Sequence, residues 1–415
     1  MKKKAVKPSP NELNAIVNRA VSEIIPYKDF VNRLNNGDHL RLKMGFDPSA
    51  PDLHLGHVVG LRKLRQLQNL GHTVVVIVGD WTARIGDPSG RSATRPMLTS
   101  SEVANNAETY MSQFFKVVDE KNTEIRYQSE WFEGFGLEEI LRLSAQFTVN
   151  QFLHREDFSQ RYASENPIGI VELLYPLLQA YDSVAVNADV EFGGTDQRFN
   201  LLVGRDLQEK NKQKPQNVFL VPILPGTDGV RRMGKSLGNY IALEDKPNDM
   251  YGKLMSIPDV IVPLYYDLLT DFTQRDIDEI RDEFEKKSPR LLELKKALAL
   301  KLTSEFHGQV EGRKAEESFE SVIQQGGEPE DILEIGISPL TPGVIQFESS
   351  LFTLDLPKIA ADAGIINSRS EGMRLLKQGA ILIDGNRATD AINKVSQDSK
   401  IRFGRLKWIR IVASK

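Results

Sequence analysis

The first half of the chain alternates between segments whose apolar residues follow the period of a strand and segments that follow the period of a helix. Apolar and polar residues alternate over Leu40–Phe46, which predicts a half-buried strand. Leucine and valine then recur at helical spacing from Val58 to Leu67, and Gly71 is a helix-ending residue just beyond. Thr73–Val78 is a continuous β-branched run, which is typical of a strand buried on both faces of a parallel sheet.

This alternation continues along the chain. Helices are also predicted over Asn11–Ile25, Ser100–Val117 and Leu137–Phe147, and strands over Glu124–Gln128 and Phe219–Leu224. Strands that alternate with helices favour a doubly wound, Rossmann-like α/β domain with a parallel sheet. Because ligands of such sheets bind at the carboxyl ends of the strands, we expect the functional site there.

The last part of the chain has a different pattern. From about Pro247 it is mostly helical, with a long helix predicted over Ser288–Phe306, and a Pro- and Gly-rich stretch follows. Beyond that stretch, helices at Leu356–Ala363 and Ser368–Lys377 and a hairpin at Ala380–Gly385 predict a small α+β unit. The pattern thus predicts four parts: a catalytic domain at 1–245, a helical domain at 246–325, a linker at 326–351 and the α+β unit at 352–415.

Charge and composition narrow the class of protein. Residues 352–415 contain 12 Lys and Arg against 6 Asp and Glu, whereas the remainder has 41 against 51. A basic tail on an acidic body favours contact with a polyanion, although ordinary solvated charges give the same count. The absence of Cys excludes disulfides and fits a reducing cytoplasm. No segment approaches the roughly 20 apolar residues of a membrane span, and the first lysines precede no secretory apolar run.

The segment His54-Leu55-Gly56-His57 joins the first predicted strand to its helix. A helix start offers unpaired N–H groups and a positive dipole end, which suit a phosphate. Gly56 lets a flat ring lie on its backbone, and His54 and His57 have N–H groups that can bind phosphate oxygens. The alternatives are a zinc site, for which the chain lacks Cys and other obvious ligands, and surface histidines without a role.

A second motif, Gly226–Asn239, follows the late strand and contains Arg232, Lys235 and Ser236. A glycine-containing loop with a lysine can close over a polyphosphate, while the alternative is a solvated basic loop. In this order and context, HLGH and RMGKS resemble the HIGH and KMSKS pair of class I aminoacyl-tRNA synthetases.

Three further segments resemble motifs of bacterial-type tyrosyl-tRNA synthetases: Gly79–Arg91, Tyr175–Asp182 and Gly193–Gln197. The similarity extends over nearly all of the chain from about Leu40 onward. It implies that the helical domain lies on the anticodon side and that residues 352–415 form an αL-type RNA-binding domain.

This resemblance implies a two-step reaction that needs no nucleophilic side chain. The carboxylate of L-tyrosine attacks the α-phosphate of ATP, giving tyrosyl-adenylate and pyrophosphate, and a terminal ribose hydroxyl of tRNA(Tyr) then takes the tyrosyl group. ATP with Mg²⁺ is then a substrate, and no protein-bound metal is expected. The family likeness also implies a cytoplasmic homodimer without a membrane partner, with the interface around Leu137–Arg155.

The matching positions imply roles for individual residues. The ATP phosphates and the departing pyrophosphate are assigned to His54, His57, Arg232, Lys235 and Ser236. Other ATP contacts are implied for Gly56, Ser49 and, at the ribose, Asp196, and a basic mobile loop for Arg91 and Arg95. The α-amino group of tyrosine is assigned to Asp87, Tyr175, Gln179 and Gln197, and the phenol hydroxyl to Asp182. The RNA-facing cations implied are Arg369, Arg374 and Lys377.

The spacing of Tyr175, Gln179 and Asp182 places all three on one face of a helix. A polar stripe of this kind usually faces solvent, but the residues between them are mostly apolar and indicate a buried segment whose polar groups need partners. Three positions depart from the family pattern. Lys43 stands where several relatives have a tyrosine that also reaches the phenol hydroxyl, and the loop motif has Arg232 for its first lysine, with glycine for its first serine.

Three other functions compete with this interpretation. Tryptophanyl-tRNA synthetases share the catalytic fold but lack the YxxxQxxD stripe and the basic carboxyl-terminal domain. An inactive synthetase relative that only binds RNA is expected to have eroded motifs, whereas HLGH, Lys235 and Asp182 are intact. A general nucleotidyltransferase explains the HLGH motif but neither Tyr175–Asp182 nor the tail.

Overall fold

The computed structural model describes residues 4–48, 52–88, 99–324, 332–348, 350–404 and 407–413. Ser49, Arg91 and Arg95, to which the sequence assigns roles, lie outside these ranges. The chain forms two compact units, Met1–Gln309 and Val310–Lys415, and each is described by itself. No helix among the described residues is long and apolar enough to cross a membrane.

The first unit is a mixed α/β structure. Its strands are β1 (Glu23–Ile25), β2 (Arg41–Phe46), β3 (Thr73–Val78), β4 (Thr123–Tyr127), β5 (Val190–Gly194) and β6 (Asn217–Val221). Its helices are α1 (Pro10–Asn18), α2 (Tyr27–Asn36), α3 (Leu55–Gln68), α4 (Thr82–Ile85), α5 (Ser100–Phe114), α6 (Ser129–Phe132), α7 (Leu137–Ser144), α8 (Val149–Leu153), α9 (Glu156–Ala163), α10 (Ile170–Ala185), α11 (Arg198–Lys210), α12 (Pro247–Ser256), α13 (Val262–Leu269), α14 (Gln274–Glu285) and α15 (Leu291–His307).

The six strands form one sheet in the order β1-β6-β5-β2-β3-β4. All neighbours are parallel except β1, which pairs antiparallel with β6. The predicted doubly wound, Rossmann-like architecture is therefore confirmed. The strand predicted at Thr73–Val78 has the predicted bounds, because a β-branched run that is buried on both faces leaves little choice of register.

The predicted helix over Asn11–Ile25 is wrong in its second half. The helix ends at Asn18, and the chain then turns through Ala20, whose φ is 50°, into β1. Ile24 is buried on the edge of the sheet, where it pairs with Phe219. Strand pairing at the sheet edge thus prevails over the helical spacing of these apolar residues.

Packing of α10 on the sheet fixes the position of that helix. Val186 and Ala188, just beyond its end, are buried against Val75 and Ile77 of β3. Leu177 and Leu178 on the same helix pack with Val203 and Leu207 of α11 and with the aromatic side chains around α6. Because protein cores are close-packed, polar side chains on α10 are held in fixed positions relative to the strand ends.

Helices α12–α15 belong to the same compact unit as the sheet. Helix α13 contacts α3, and α12 packs against α15. The separate helical domain at 246–325 therefore stays a prediction, since the structure groups its residues up to 309 with the catalytic fold.

The second unit begins with α16 (Gln309–Phe319) and contains two small sheets. Its other elements are β7 (Leu333–Ile337), β8 (Val344–Phe347), β9 (Leu351–Asp355), α17 (Leu356–Asp362), α18 (Arg369–Lys377), β10 (Ile381–Ile383), β11 (Asn386–Arg387), β12 (Ile392–Ser396), β13 (Lys400–Phe403) and β14 (Lys407–Ala413). One sheet has the order β11-β10-β13-β14-β7 and the other β12-β9-β8.

The predicted linker at 326–351 is wrong from Leu333 onward. There β7 pairs parallel with β14, and β8 pairs antiparallel with β9. Ile337 is fully buried in the core of this unit. The prediction failed because prolines and glycines between these short strands mark turns within the domain as well as linkers between domains.

Candidate active site

A cavity of about 400 Å³ opens at the carboxyl ends of β2, β5 and β6. Its wall contains every described residue to which the sequence assigns an ATP, pyrophosphate or tyrosine contact: His54, Gly56, His57, Asp87, Tyr175, Gln179, Asp182, Asp196, Gln197, Arg232, Lys235 and Ser236. Residues that are up to 182 positions apart in the sequence therefore converge at the site that the topology predicts.

The two histidines lie at the start of α3 with their rings in contact. The His54 backbone N–H donates to Nδ1 of His57 over 3.1 Å, and the ring centroids are 3.9 Å apart. Because Nδ1 of His57 accepts a hydrogen bond, its proton is assigned to Nε2, which leaves an N–H donor on the far side of the ring. Nδ1 of His54 is buried and has no hydrogen-bond partner among the described residues.

Both histidines are neutral at physiological pH. Burial lowers the pKa of His57 to about 4, and the nearby ammonium of Lys235 lowers it further in the same direction. Burial also holds the pKa of His54 well below its usual range, with His57, Lys235 and Arg232 contributing. The pair can therefore offer N–H donors to phosphate without placing two imidazolium charges side by side.

Gly56 makes this arrangement possible. A Cβ at this position would lie 2.9 Å from Nδ1 of His54, closer than real side chains approach. The imidazole thus lies directly on the Gly56 backbone, so the flat ring that the sequence predicts against this glycine includes the protein's own His54.

Backbone hydrogen bonds connect the two motifs. The N–H of Leu55 donates to the carbonyl of Ile241 over 3.0 Å, and the N–H of Leu243 donates to Leu53 over 2.9 Å. The segment that follows the RMGKS loop is thereby fixed to the start of α3. As a result, the loop cations are placed beside the histidines.

Asn239 shapes the loop from within. It is buried, its Oδ1 accepts from the N–H of Gly234 over 2.9 Å, and its Nδ2 donates to Asp228 over 2.9 Å and to the carbonyl of Arg232 over 3.1 Å. A single amide therefore fixes both ends of the loop that contains the basic residues.

Each loop cation has a different environment. Arg232 forms an ion pair with Asp196 at 3.0 Å, and both side chains are partly exposed. Lys235 donates to the hydroxyl of Tyr110 over 3.4 Å, and its ammonium lies 5.2 Å from the centre of that ring. Burial lowers the pKa of Lys235 to about 8. Tyr110 belongs to α5, and sequence reasoning did not identify it.

Four polar side chains form a chain of hydrogen bonds beside the cavity. Nε2 of Gln197 donates to Asp87 over 2.6 Å, and Nδ2 of Asn200 donates to Gln197 over 3.1 Å and to Gln179 over 3.0 Å. The chain fixes the amide orientations, so the carboxylate of Asp87 and the amides have defined positions for an ammonium group.

Tyr175 is held by a residue that the sequence reading passed over. Its hydroxyl donates to Asp47 over 2.8 Å, and the hydroxyl of Thr82 donates to the other Asp47 oxygen over 2.7 Å. Asp47 follows β2 directly and was interpreted only as part of the break after the strand. A carboxylate at the carboxyl end of a central strand is itself the signal that identifies it.

Asp182 lies at the closed end of the cavity and is 2% exposed. Nε2 of Gln128 donates to one oxygen over 2.8 Å, and Nε1 of Trp131 donates to the other over 3.2 Å. Two carboxylate oxygens can accept about four hydrogen bonds, so capacity remains for a ligand hydroxyl. Burial raises the pKa of Asp182 to about 7, although nearby Lys43 and the donor Gln128 lower it.

Gln128 is a further residue that the sequence reading missed. Its Oε1 accepts from the N–H and the hydroxyl of Thr82 over 2.9 and 3.0 Å. These donors fix the orientation of the amide, so the Nε2 group must point towards Asp182. The residue lay at the end of a predicted strand, the position where ligand-facing side chains are expected.

Lys43 does not point its ammonium at an open pocket. It is fully buried, and Nζ donates to Glu191 over 2.9 Å, to the Ser183 hydroxyl over 2.8 Å and to the Gln179 carbonyl over 2.8 Å. The lysine at this position, which departs from the family pattern, is therefore one partner of a buried ion pair.

The three residues predicted to face RNA lie on α18 in the second unit, and all are exposed. Arg369 forms an ion pair with Asp355 at 2.9 Å, so part of its hydrogen-bonding capacity is already used. Arg374 and Lys377 follow on the last turns of the helix, where a cation also interacts favourably with the helix dipole. Within the described ranges, no group of three or more His, Asp or Glu side chains could hold a metal ion.

Comparison with known proteins gives a consistent result. Residues 35–324 match the model of the class I tRNA synthetases (W and Y). Tyrosine–tRNA ligases from Dehalococcoides mccartyi (strain CBDB1) and Thermotoga maritima are 49% and 46% identical to this chain. Each alignment covers 97% of this chain, with 99% of the first relative and 98% of the second.

Solved structures agree in fold. A tyrosyl-tRNA synthetase of Archaeoglobus fulgidus, determined with L-tyrosine, has a TM-score of 0.60 at 22% identity and covers 74% of this chain and 98% of its own. A truncated mitochondrial enzyme of Aspergillus nidulans has a TM-score of 0.61 at 22% identity, over 74% of this chain and 93% of its own. At such identities, the similarity concerns the fold alone.

Proposed function

The chain belongs to the tyrosine–tRNA ligases of the class I tRNA synthetase family, and from this premise we propose how its cavity activates L-tyrosine with ATP and passes it to the 3′ end of tRNA(Tyr). The observation that carries the proposal is the division of the cavity. Cations and neutral histidines lie at one end, and a buried carboxylate lies at the other. The polyphosphate of ATP fits the first end. An amino acid with a phenol side chain fits the second.

In the first step, the tyrosine carboxylate attacks the α-phosphorus of ATP and the bond to the pyrophosphate oxygen breaks. No protein group forms a bond, so the side chains accelerate the step by positioning and by charge stabilisation. His54 and His57 donate N–H groups to the phosphates as neutral rings. Gly56 lies in the same wall of the ATP end.

Negative charge grows on the departing pyrophosphate, and Arg232, Lys235 and Ser236 are placed to receive it. Arg232 is paired with Asp196 in the free enzyme, which implies an exchange of partners when ATP binds. Asp196 is then released to accept hydrogen bonds from the ribose hydroxyls. A loop that exchanges partners in this way places its cations where charge develops.

The enzyme recognises both polar ends of tyrosine, the α-ammonium group and the phenol hydroxyl. The chain of Asp87, Gln197 and Gln179, together with Tyr175, holds the α-ammonium group. Asp182 accepts the phenol hydroxyl, while Gln128 and Trp131 hold the carboxylate in place. Phenylalanine would leave this buried carboxylate without that partner, which disfavours its binding.

Mg²⁺ enters as part of the ATP substrate, since phosphate oxygens and water are its preferred ligands. The carboxylates of Asp52 and Asp196 already interact with the loop cations. We therefore assign the protein no dedicated metal site. The ion supplies charge neutralisation on the phosphates when ATP is bound.

The second unit is proposed to contact tRNA through the exposed basic side chains on α18. Its excess of Lys and Arg supports phosphate contacts. We propose a cytoplasmic location, since charged tRNA is consumed there by translation.

We also propose that the enzyme is a homodimer. Five large apolar side chains between residues 137 and 170 are at least 60% exposed: Leu137, Leu141, Val149, Tyr162 and Ile170. We propose that these side chains belong to the surface that a second copy of the chain covers. Sedimentation analysis at increasing concentration tests the proposal, and a monomer at all concentrations would contradict it.

The complete reaction is tested by charging purified tRNA(Tyr) with the full-length chain. Tyrosine and ATP should give tyrosyl-tRNA, and omission of ATP should abolish the product. Charging with another amino acid in place of tyrosine would contradict the assignment.

A further inference from the structure

Lys43 is fixed beneath the part of α10 that presents Asp182. Its two contacts on this helix, the carbonyl of Gln179 and the hydroxyl of Ser183, lie on either side of Asp182 in sequence, and both are 2.8 Å from Nζ. The ammonium is therefore held against the same helical turn that carries the carboxylate.

Glu191 on β5 holds Lys43 in turn. Its carboxylate accepts from Nζ over 2.9 Å, from the Ser183 hydroxyl over 3.1 Å and from the Gln179 amide over 3.2 Å, and Gln216 donates as well. A buried ion pair is weak evidence for stability, because desolvation of both charges opposes their attraction. The ion pair lies beside Asp182, the acceptor of the phenol hydroxyl, and this location indicates a role other than stability.

The pair acts on Asp182 with two opposite charges. Burial raises the pKa of Asp182, Lys43 lowers it by the next largest effect, and Glu191 raises it by less than Lys43 lowers it. Gln128 and Trp131 add hydrogen bonds that favour the charged form. Other titratable groups nearby are Tyr175 on the same helix, Asp47, which accepts from Tyr175, and Asp87, whose charge also acts on Tyr175.

We propose that the buried Lys43–Glu191 pair is a specificity device, which holds Asp182 in place as a carboxylate so that the site demands a hydroxyl donor on the ring of the amino acid. This inference rests on the proposed function, in which tyrosine occupies this cavity. Lys43 is a positioning residue, since it acts through Asp182 and the α10 turn.

The test is equilibrium binding of L-tyrosine, without ATP, between about pH 5.5 and pH 8.5, a range that spans the pKa of Asp182. Leaving out ATP removes the step in which Lys235 acts. For the wild type, affinity should fall as the pH drops through about 7, because protonation removes the acceptor charge. In Asp182→Asn, binding should be weaker and flat over this range.

Two variants separate the charges of the pair. Lys43→Gln with Glu191→Gln keeps polar side chains but removes both charges. The pH midpoint of tyrosine binding should then rise by about one unit, with roughly fivefold weaker binding at pH 7. Glu191→Gln alone keeps the positive charge of Lys43, so the pH midpoint of tyrosine binding should fall. Thermal melts show which variants are folded. If the double variant is unfolded, the pH midpoint of Glu191→Gln alone tests the inference.

Midpoints equal to that of the wild type in the folded variants would overturn the inference while leaving the proposed function intact. A pH dependence that persists in Asp182→Asn would overturn it too, because another group would then titrate. If the wild type binds no tyrosine at any pH, the proposed function fails and the inference fails with it.

Discussion

At the scale of single residues, burial decides which groups are charged. The two histidines of the HLGH motif are neutral, since burial lowers their pKa values, whereas Asp182 titrates near neutral pH because burial raises its pKa to about 7. In the proposed mechanism, Arg232 and Lys235 are the cations among the described residues that bring positive charge to the phosphates. The histidines would contribute directed hydrogen bonds.

Asp182 is expected to determine the choice of tyrosine over phenylalanine. In Asp182→Asn, kcat/KM for tyrosine should fall by about 10- to 100-fold, the cost of losing a charged, buried acceptor, and the preference over phenylalanine should shrink. Activation kinetics with both amino acids measure this. Asp206→Asn, an exposed carboxylate on α11, is the matched control and should behave as the wild type. An unchanged preference in Asp182→Asn would refute the assignment.

Lys235 should act on the transition state and lose its effect at high pH. Its pKa of about 8 means that the ammonium is lost as the pH rises through 8, so kcat/KM for ATP should decline there. Lys235→Ala should slow adenylation by about 10²-fold with little change in tyrosine affinity. Lys235→Arg keeps its charge and should abolish the decline above pH 8. Normal single-turnover adenylation in Lys235→Ala would rule out this role.

At the scale of elements, the active site depends on how loops are attached to strand ends. The start of α3 is fixed to the segment after the RMGKS loop by backbone hydrogen bonds, and Asn239 fixes the loop itself. These contacts join residues that are nearly 190 positions apart. The two motifs are therefore one structural assembly.

Removing the Asn239 side chain should disturb this assembly. Asn239→Ala removes the acceptor of the Gly234 N–H and the donor to the Arg232 carbonyl, at a cost of about 1–3 kcal/mol. Adenylation should slow more than tyrosine binding weakens, which stopped-flow and equilibrium binding measure separately. Asn211→Ala, at the exposed end of α11, is the control. Equal losses in both measurements would indicate general destabilisation.

The sequence predicted the elements whose local pattern is strong. Thr73–Val78 needed only its β-branched run, and the structure bears out that strand. The two motifs needed the family resemblance as well, and the roles of their residues stay predictions. What it missed depends on tertiary contacts: β1 forms through pairing at the sheet edge, and the roles of Gln128 and Asp47 follow from partners 54 and 128 residues away. The local sequence pattern of a segment does not reveal partners that lie so far away in the chain.

At the scale of the whole molecule, charge is unevenly distributed along the chain, as the proposed division between catalysis and RNA binding requires. The acidic first part contains the cavity, and residues 352–415 carry an excess of six positive charges. Such a distribution lets the tail attract RNA without drawing it into nonspecific contact over the rest of the surface.

Reversing two charges on α18 tests the RNA role in the full chain. Arg374→Glu with Lys377→Glu should weaken tRNA binding and reduce its salt dependence, because each phosphate contact releases counterions. Tyrosine adenylation should be unchanged. Lys28→Glu with Lys212→Glu places the same charge change on exposed sites of the first unit as a control. Unaltered tRNA affinity in the α18 variant would remove these residues from the RNA interface.

The central claim is that this one cavity joins tyrosine to the α-phosphate of ATP. The most direct measurement is amino-acid-dependent exchange of pyrophosphate into ATP by the purified wild-type chain, tested with each standard amino acid separately and without tRNA. We expect exchange with tyrosine, a small fraction of that rate with phenylalanine, and none with tryptophan. Exchange that tryptophan supports better than tyrosine, or no exchange with any amino acid, would contradict the account.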